Sequence, residues 1–283
     1  MQETTVEWVV VSGKVAIISR ESGECWFLDL DNYENSLPFS TPMTGKGSHG
    51  STAGLLNGAI ALGLGGDASV LQSCATSLPE YVIDLVGSYH NSSRTVGNYL
   101  KAARRFVAID RADIASYLER HAREENGHER LALRDLGALN LPAERLVASL
   151  VPEGVAALCE LFDRLSASGY PVGCIGYSYF FESSAAKRQK ADVDALQALC
   201  PTGADATRFM RAHSSLGSEV DHIKEMIRFI AGLPASDRIE IAKAVYETAA
   251  TVAKGSRHKS RKSDAAMWDQ IRVAAGEEIN LAV

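Results

Sequence analysis

The 283-residue chain has no CxxC pair, and its five cysteines (Cys25, Cys74, Cys159, Cys174 and Cys200) are odd in number and widely scattered. That argues against a disulfide scaffold and a zinc ribbon and leaves buried free thiols. Proline is sparse, at eight residues, and marks boundaries rather than interiors of periodic segments. A basic surplus is missing as well. Lys and Arg total 29 against 35 Asp and Glu, a net charge of −6, so composition announces no nucleic-acid partner. Long apolar runs are absent too: the longest weakly polar stretch, Gly47 to Gly66, is interrupted by Asn57 and is shorter and more polar than a spanning helix needs. The start, MQETTVEWVV, lacks the basic-then-apolar order of a secretory leader. The expectation is a cytoplasmic protein with no membrane partner.

What is present suffices for a sizeable core, with 46% hydrophobic and 23% charged residues. Val6–Val11, Lys14–Ser19 and Cys25–Leu30 are short runs rich in Val, Ile, Trp and Phe, separated by Ser12-Gly13 and by Glu21-Ser22-Gly23. This is the pattern of two hairpins, a three-stranded antiparallel β-meander over residues 1–35. Residues 36–52, with Pro38, Pro42, Gly45, Gly47 and Gly50, read as a linker. Within it Gly45-Lys46-Gly47-Ser48-His49-Gly50 spells GxGxxG, but it follows a Pro-rich stretch rather than a strand, so a dinucleotide-binding role is set aside. From residue 53 to 283 apolar residues recur at spacings of three and four, predicting an all-α bundle. Helices are expected near 53–64, 67–75, 78–88, 91–108, 111–137, 141–148, 152–168, 177–199, 203–216, 218–232, 236–254 and 263–276, with Lys254–Lys262 a basic, solvated loop.

Three of these helices carry acids and histidines where a core face expects leucine. On the stripe Ile114, Leu118, Glu125, Ala132, Leu136, the pair Glu125 and His128 forms an E-x-x-H element, with both side chains leaving one helix face. A second E-x-x-H, Glu219 and His222, interrupts the stripe Phe209, His213, Leu216, Ile223, Met226, Ile230. Glu182 shares a stripe with Ile175, Tyr179 and Ala186. A buried unpaired carboxylate costs several kcal/mol even after relaxation, and the inward stripes offer no Arg or Lys. Divalent cations solve the problem: they neutralise carboxylates and accept neutral imidazoles, and a carboxylate-rich set with two or three His suits iron or manganese better than zinc. A ferritin-like bundle fits only in its second half, because Gly87–Lys101 contains no acid to pair with Glu125.

The order and spacing of these residues resemble the heme-oxygenase-like diiron oxidases and oxygenases, which share their fold with heme oxygenase and the thiaminase-II and pyrroloquinoline-quinone-synthase proteins. In that family one helix gives a Glu and a His, a later helix a Glu, and a third a His, an acid and a His. The resemblance, over about residues 70–250, implies that Glu125, His128, Glu182, His213, Glu219 and His222 ligate an Fe(II)/Fe(III) pair, with O2 as co-substrate. The catalytic set it implies is Glu125, His128, Glu182, Glu219 and His222. Two departures stand out. His213 and His222 are nine apart rather than the family's seven, with Gly217 between them as the place for a break, and Asp221 competes with Glu219 for the carboxylate role.

Relatives of that kind oxidise amines, amino acids and fatty acids. Tyr177, Tyr179 and His121 as pocket candidates favour a small amine or amino-acid-derived substrate, taken by N-oxygenation, desaturation or oxidative C–C cleavage in secondary metabolism; a homodimer is allowed. Two alternatives stay open. One is a metal-independent thiaminase-II-like or pyrroloquinoline-quinone-synthase-like enzyme using the same groups as general bases, although Cys200, before Pro201 at a helix boundary, sits oddly for a nucleophile. The other is a non-enzymatic module in which the meander captures a peptide by strand addition.

Overall fold

The computed structural model describes residues 6–19, 22–29, 40–66, 74–214, 219–259 and 263–276, with backbone alone at 40–42, 219–220 and 257–259. Strands β1 (Val6–Val11), β2 (Lys14–Ser19) and β3 (Cys25–Asp29) form the expected antiparallel meander. Ser12 and Gly13 both have positive φ, 48° and 78°, the backbone that a two-residue hairpin matching strand twist requires. The stretch read as a linker is not featureless. It holds a fourth strand, β4 (Ser40–Pro42), parallel to β1, so the sheet order is β3-β2-β1-β4.

Helix α1 (His49–Gly63) starts earlier than its periodicity suggests, because Ser48 caps it by accepting from the Ser51 backbone N–H. The GxGxxG stretch thus lies between a short strand and a helix after all. Its polar groups are nonetheless used internally: the Gly47 N–H donates to the Ala231 carbonyl, and buried Arg238 donates to the Gly45 carbonyl. The sheet sits on α1 so closely that a Cβ on Gly54 would lie 2.1 Å from the Gly23 carbonyl oxygen. Val9, Val11, Ala16 and Ile18 therefore share one core with Leu55, Leu56 and Ala59.

Helices α2 (Leu78–Ala108), α3 (Ala112–Glu124), α4 (Glu129–Ala138), α5 (Ala143–Ser149), α6 (Glu153–Ala167), α7 (Gly173–Lys187), α8 (Lys190–Leu199), α9 (Arg208–Ala212), α10 (Glu219–Gly232), α11 (Ala235–Lys259) and α12 (Asp264–Ala275) make up the body. Most of the expected segment 67–75 lies outside the described residues. Helix α2 is continuous where two helices were expected. The polar run around Ser92 contains no Pro or Gly, and Ser93 and Thr95 donate back to the His90 and Asn91 carbonyls, which keeps them inside the helix. The expected single helix 111–137 is instead α3 and α4, broken at Asn126-Gly127, where Gly127 has φ +94°. Similarly 177–199 divides into α7 and α8, 203–216 shrinks to α9, and α11 runs on to Lys259 through residues read as a basic loop.

Two apolar clusters result. One gathers the sheet, α1, α3, α7, α10, α11 and the C-terminal half of α2 around Phe106, Leu118 and Ile230. The other gathers α4, α5, α12 and the N-terminal half of α2 around Tyr81, Leu136 and Ile271. Helix α2 spans both, and its middle turns, rich in Ser, Asn and Thr, line the space between them.

Candidate metal centre

The break between α3 and α4 changes how the first E-x-x-H works. Glu125 is the C-cap of α3 and His128 the N-cap of α4, so they meet across a turn rather than along one helix face. The turn is tight: His128 Nδ1 lies 3.0 Å from Glu125 Oε2. His213 follows α9 and joins them, its Nε2 3.1 Å from His128 Nδ1. The ring of His213 is fixed on its other side, where Nδ1 lies 3.0 Å from the Phe209 carbonyl oxygen. A carbonyl only accepts, so Nδ1 carries the proton and Nε2 presents its lone pair to the cluster.

Helix α9 is itself held by Asp135. This fully buried carboxylate accepts the backbone N–H groups of Arg208 and Phe209 and pairs with the Arg208 guanidinium at 3.2 Å. Burial pushes its carboxyl above the ordinary value, against the pull of those donors. Nothing in the sequence reading singled out Asp135. The signal available was an acid between Ala132 and Leu136 on the apolar stripe of α4.

On the other side of Glu125 lie His121, one turn earlier on α3, and Glu182 from α7. His121 Nε2 is 3.6 Å from Glu182 Oε1. His222, from α10, places Nδ1 4.0 Å from Glu182 Oε2. One donor atom each from Glu125, His128 and His213 lie within 4.8 Å of one another, as do one each from His121, Glu125 and Glu182. Glu125 belongs to both trios. Burial pushes its carboxyl up, but the hydrogen bond with His128 and the electrostatic attraction of the surrounding imidazoles outweigh that and hold it below the ordinary carboxylate range.

Of the expected ligands, Glu125, His128, Glu182, His213 and His222 thus converge. The Glu219 side chain falls outside the described residues. Asp221, the competing acid, faces solvent and pairs with Lys224 at 3.0 Å.

The donor set suits a metal. Glu125, His128 and His213 supply two imidazoles and one carboxylate, the set that non-heme Fe(II) favours. Metal–ligand distances of about 2.1 Å put neighbouring ligands of an octahedron about 3.0 Å apart, matching the separations of 3.0 and 3.1 Å here. Without a cation, the His128 Nδ1 proton would have to satisfy both Glu125 Oε2 and His213 Nε2. A cation takes that proton's place.

A cavity of about 400 Å³ opens from this cluster. His121, Glu125, Glu182 and His213 line one end, and Asp84, Glu153 and Gln270 lie among the lining further off. One face of α2 follows it from Asp84 through Ser88, Asn91 and Thr95 to Tyr99, about 22 Å at 1.5 Å per residue. The apolar side chains of Val155, Leu158, Phe181 and Met210 also line it. Tyr177 lines the cavity and donates to Asn91 Oδ1, and Tyr99 bonds Ser178. Tyr179 does not reach it. Its neighbour Ser178 takes the inward position, and the Tyr179 hydroxyl donates to Asn57 of α1 at 3.1 Å, which corrects its expected place in the pocket.

The architecture is that of the heme-oxygenase-like fold. The chain is similar to a domain of unknown function with a heme oxygenase-like fold from Shewanella denitrificans, at 20% identity and a TM-score of 0.55, covering 82% of this chain and 96% of that one. It is also similar to a TenA homolog from Pseudomonas syringae pv. tomato, at 13% identity and a TM-score of 0.58, covering 77% and 94%. No protein-family model and no curated protein matches the chain. No helix among the described residues is long and apolar enough to cross a membrane.

Proposed function

We propose that this chain is a non-heme iron oxidoreductase that uses O2 to oxidise a small amine or amino-acid-derived substrate held in the cavity along α2. The observation that carries the reading is the two-histidine, one-carboxylate trio of Glu125, His128 and His213, preformed at 3.0 and 3.1 Å and opening onto a lined cavity. These three residues would hold one iron, and Glu182 with His222 would serve a second that shares Glu125. Bound iron would supply the electrons that activate O2.

The chain's own residues do the rest. The Phe209 carbonyl fixes the tautomer of His213. Ser88, Asn91 and Thr95 offer hydrogen bonds along the α2 face, while Leu158, Phe181 and Met210 supply apolar lining that excludes water. Asp84 and Glu153 outnumber Arg188 among the other charged residues of the lining, and that acidic balance favours a cationic amine over a fatty acid.

The metal-free reading through a nucleophilic thiol finds less support. No cysteine is among the residues lining the cavity, and burial raises the thiols of Cys174 and Cys200 to about 12 and about 11. General-base chemistry by the same acids and imidazoles stays as the competing reading. Anaerobic loading with Fe(II), followed by O2 uptake measured against a panel of amines and amino acids, tests the proposal. Uptake coupled to one substrate class supports it; absence of iron binding by the intact chain overturns it.

A further inference from the structure

The reading above leaves His121 without a task, and among the described residues it gives the second cation position Glu182, His222 and the shared Glu125 alone. The family resemblance assigns that position Glu219, whose side chain lies outside the described residues, and among the described residues the competing acid Asp221 is turned to solvent against Lys224. His121 is already in place. It stands one helical turn before Glu125 on α3, so both side chains leave the same side, and it is 5% exposed beside Glu182 at 7%.

We propose that His121 is itself a metal ligand, forming with Glu182 and the shared Glu125 a second cation position, and that Glu124 is the positioning residue that aims its ring. This rests on the cluster being a metal site.

Both ring nitrogens of His121 face carboxylates. Nδ1 lies 3.6 Å from Glu124 Oε2 and Nε2 lies 3.6 Å from Glu182 Oε1. Glu124 is part-exposed, whereas Glu182 is buried. Equal separations do not choose the tautomer by themselves, but a cation seated between Nε2 and Glu182 would leave the proton on Nδ1, facing Glu124. Two lone-pair atoms at 3.6 Å are beyond hydrogen-bond range, and a cation bound by both turns their repulsion into coordination. An imidazole with a carboxylate on its outer nitrogen and a metal on its inner one is a recurrent arrangement at metal sites.

The ring cannot readily turn away. Tyr99 meets it edge-on at 4.9 Å between centroids, and Tyr117 lies nearly parallel to it at 6.1 Å and 11°. Tyr117 is in turn stacked on Phe229 at 4.0 Å. The sequence hid this role because His121 falls outside the E-x-x-H spacing. Its relation to Glu125 is i−4, the other offset that keeps two helical side chains on one face.

The test is anaerobic titration of the full chain with Co(II), read by visible absorption and by equilibrium dialysis, so that no turnover is needed. The parent should bind two ions. His121→Ala should bind one, with the Glu125–His128–His213 ion retained, and His128→Ala should lose that ion instead. His121→Gln, which keeps most of the side-chain volume, serves if the alanine variant does not fold, and should likewise bind one. Glu124→Gln should still bind two, with the weaker constant reduced about 10- to 100-fold. Two ions bound with unchanged constants in the His121 variants overturn the inference while leaving the metal reading intact. A single ion in the parent that His128→Ala abolishes and the His121 variants spare does the same. No binding by the parent overturns both.

Discussion

The two halves of the donor cluster are built differently. Glu125, His128 and His213 stand 3.0 and 3.1 Å apart, each fixed by nearby backbone: a helix end, a helix start and a carbonyl behind the ring. Around Glu182 the gaps to His121 and His222 are 3.6 and 4.0 Å, and the donors come from three separate helices. The first half is set by the tight turn from Glu125 to His128 and by the Asp135 anchor of α9 that delivers His213, and it needs little reorganisation to accept a cation. The second depends on how α3, α7 and α10 pack, and a cation would draw it together. The difference teaches that one ion should bind tightly to a preformed seat and the other more weakly, with a larger structural response.

The strongest way to break this contrast is to remove a donor from the tight half. His128→Ala should weaken the tighter Fe(II) constant by about 100-fold or more, whereas Glu182→Gln should act on the weaker one; equal losses in both titrations would erase the distinction. Next in size is Asp135→Ala, which strips the acceptor from the part-buried Arg208 and buried Phe209 N–H groups of α9 and should cost about 1–3 kcal/mol in urea unfolding. Because α9 delivers His213, the same variant should also weaken the tight site; a tight constant that does not move would mean α9 is held by other contacts.

Gly127→Ala puts a Cβ on a residue with φ +94° and should cost about 1–2 kcal/mol. It should displace His128 relative to Glu125, visible as a changed Co(II) spectrum of the first ion alone.

A pH dependence sharpens the origin of the Asp135 effect. Its folded-state carboxyl is raised, so folding favours the protonated form. That contribution is present below the unfolded value and is lost as pH rises through the folded one. Stability should therefore decline just above the usual aspartate range, and Asp135→Asn should flatten that segment of the profile. The smallest effect expected is that of Tyr179→Phe, which removes one hydrogen bond to Asn57. It should cost about 1 kcal/mol and leave metal affinity and substrate KM unchanged, whereas Tyr177→Phe should raise KM.

Element type was legible in the sequence more readily than element continuity. The hairpin at Ser12-Gly13 was readable because its two residues supply the backbone a tight turn demands. The helical body was readable from its periodicity. The α3–α4 break was also written, as Asn126-Gly127, a common helix stop, but the apolar stripe running through it masked the signal. In α2 the opposite happened: Ser88, Asn91 and Ser92 look like a loop, yet they are polar because they face a cavity. The convergence of Glu125, His128, Glu182 and His222 was anticipated from the cost of burying charge, and that of His213 from the family resemblance alone. Tyr179 could not be separated from Tyr177 by pattern, since two residues on a helix differ by about 200° and which one faces the cavity is decided by packing. Asp135 and Glu124 act through other residues, and such roles leave little trace in spacing.

The docking of the sheet region onto the helices carries a kinetic consequence. Strands β1 to β4 and α1 are contiguous and can pair as soon as they are synthesised. Their closure, however, depends on α10 and α11, through the Gly47 bond to Ala231 and the Arg238 bond to Gly45, partners 193 residues apart in the second case. Loop closure over such separations is slow. A nascent chain would thus carry a half-covered sheet, with Val9, Val11, Ala16 and Ile18 only partly sheltered, until α11 emerges. Refolding should accordingly show a late phase in which tryptophan fluorescence from Trp8 and Trp26 settles after most helical signal has formed.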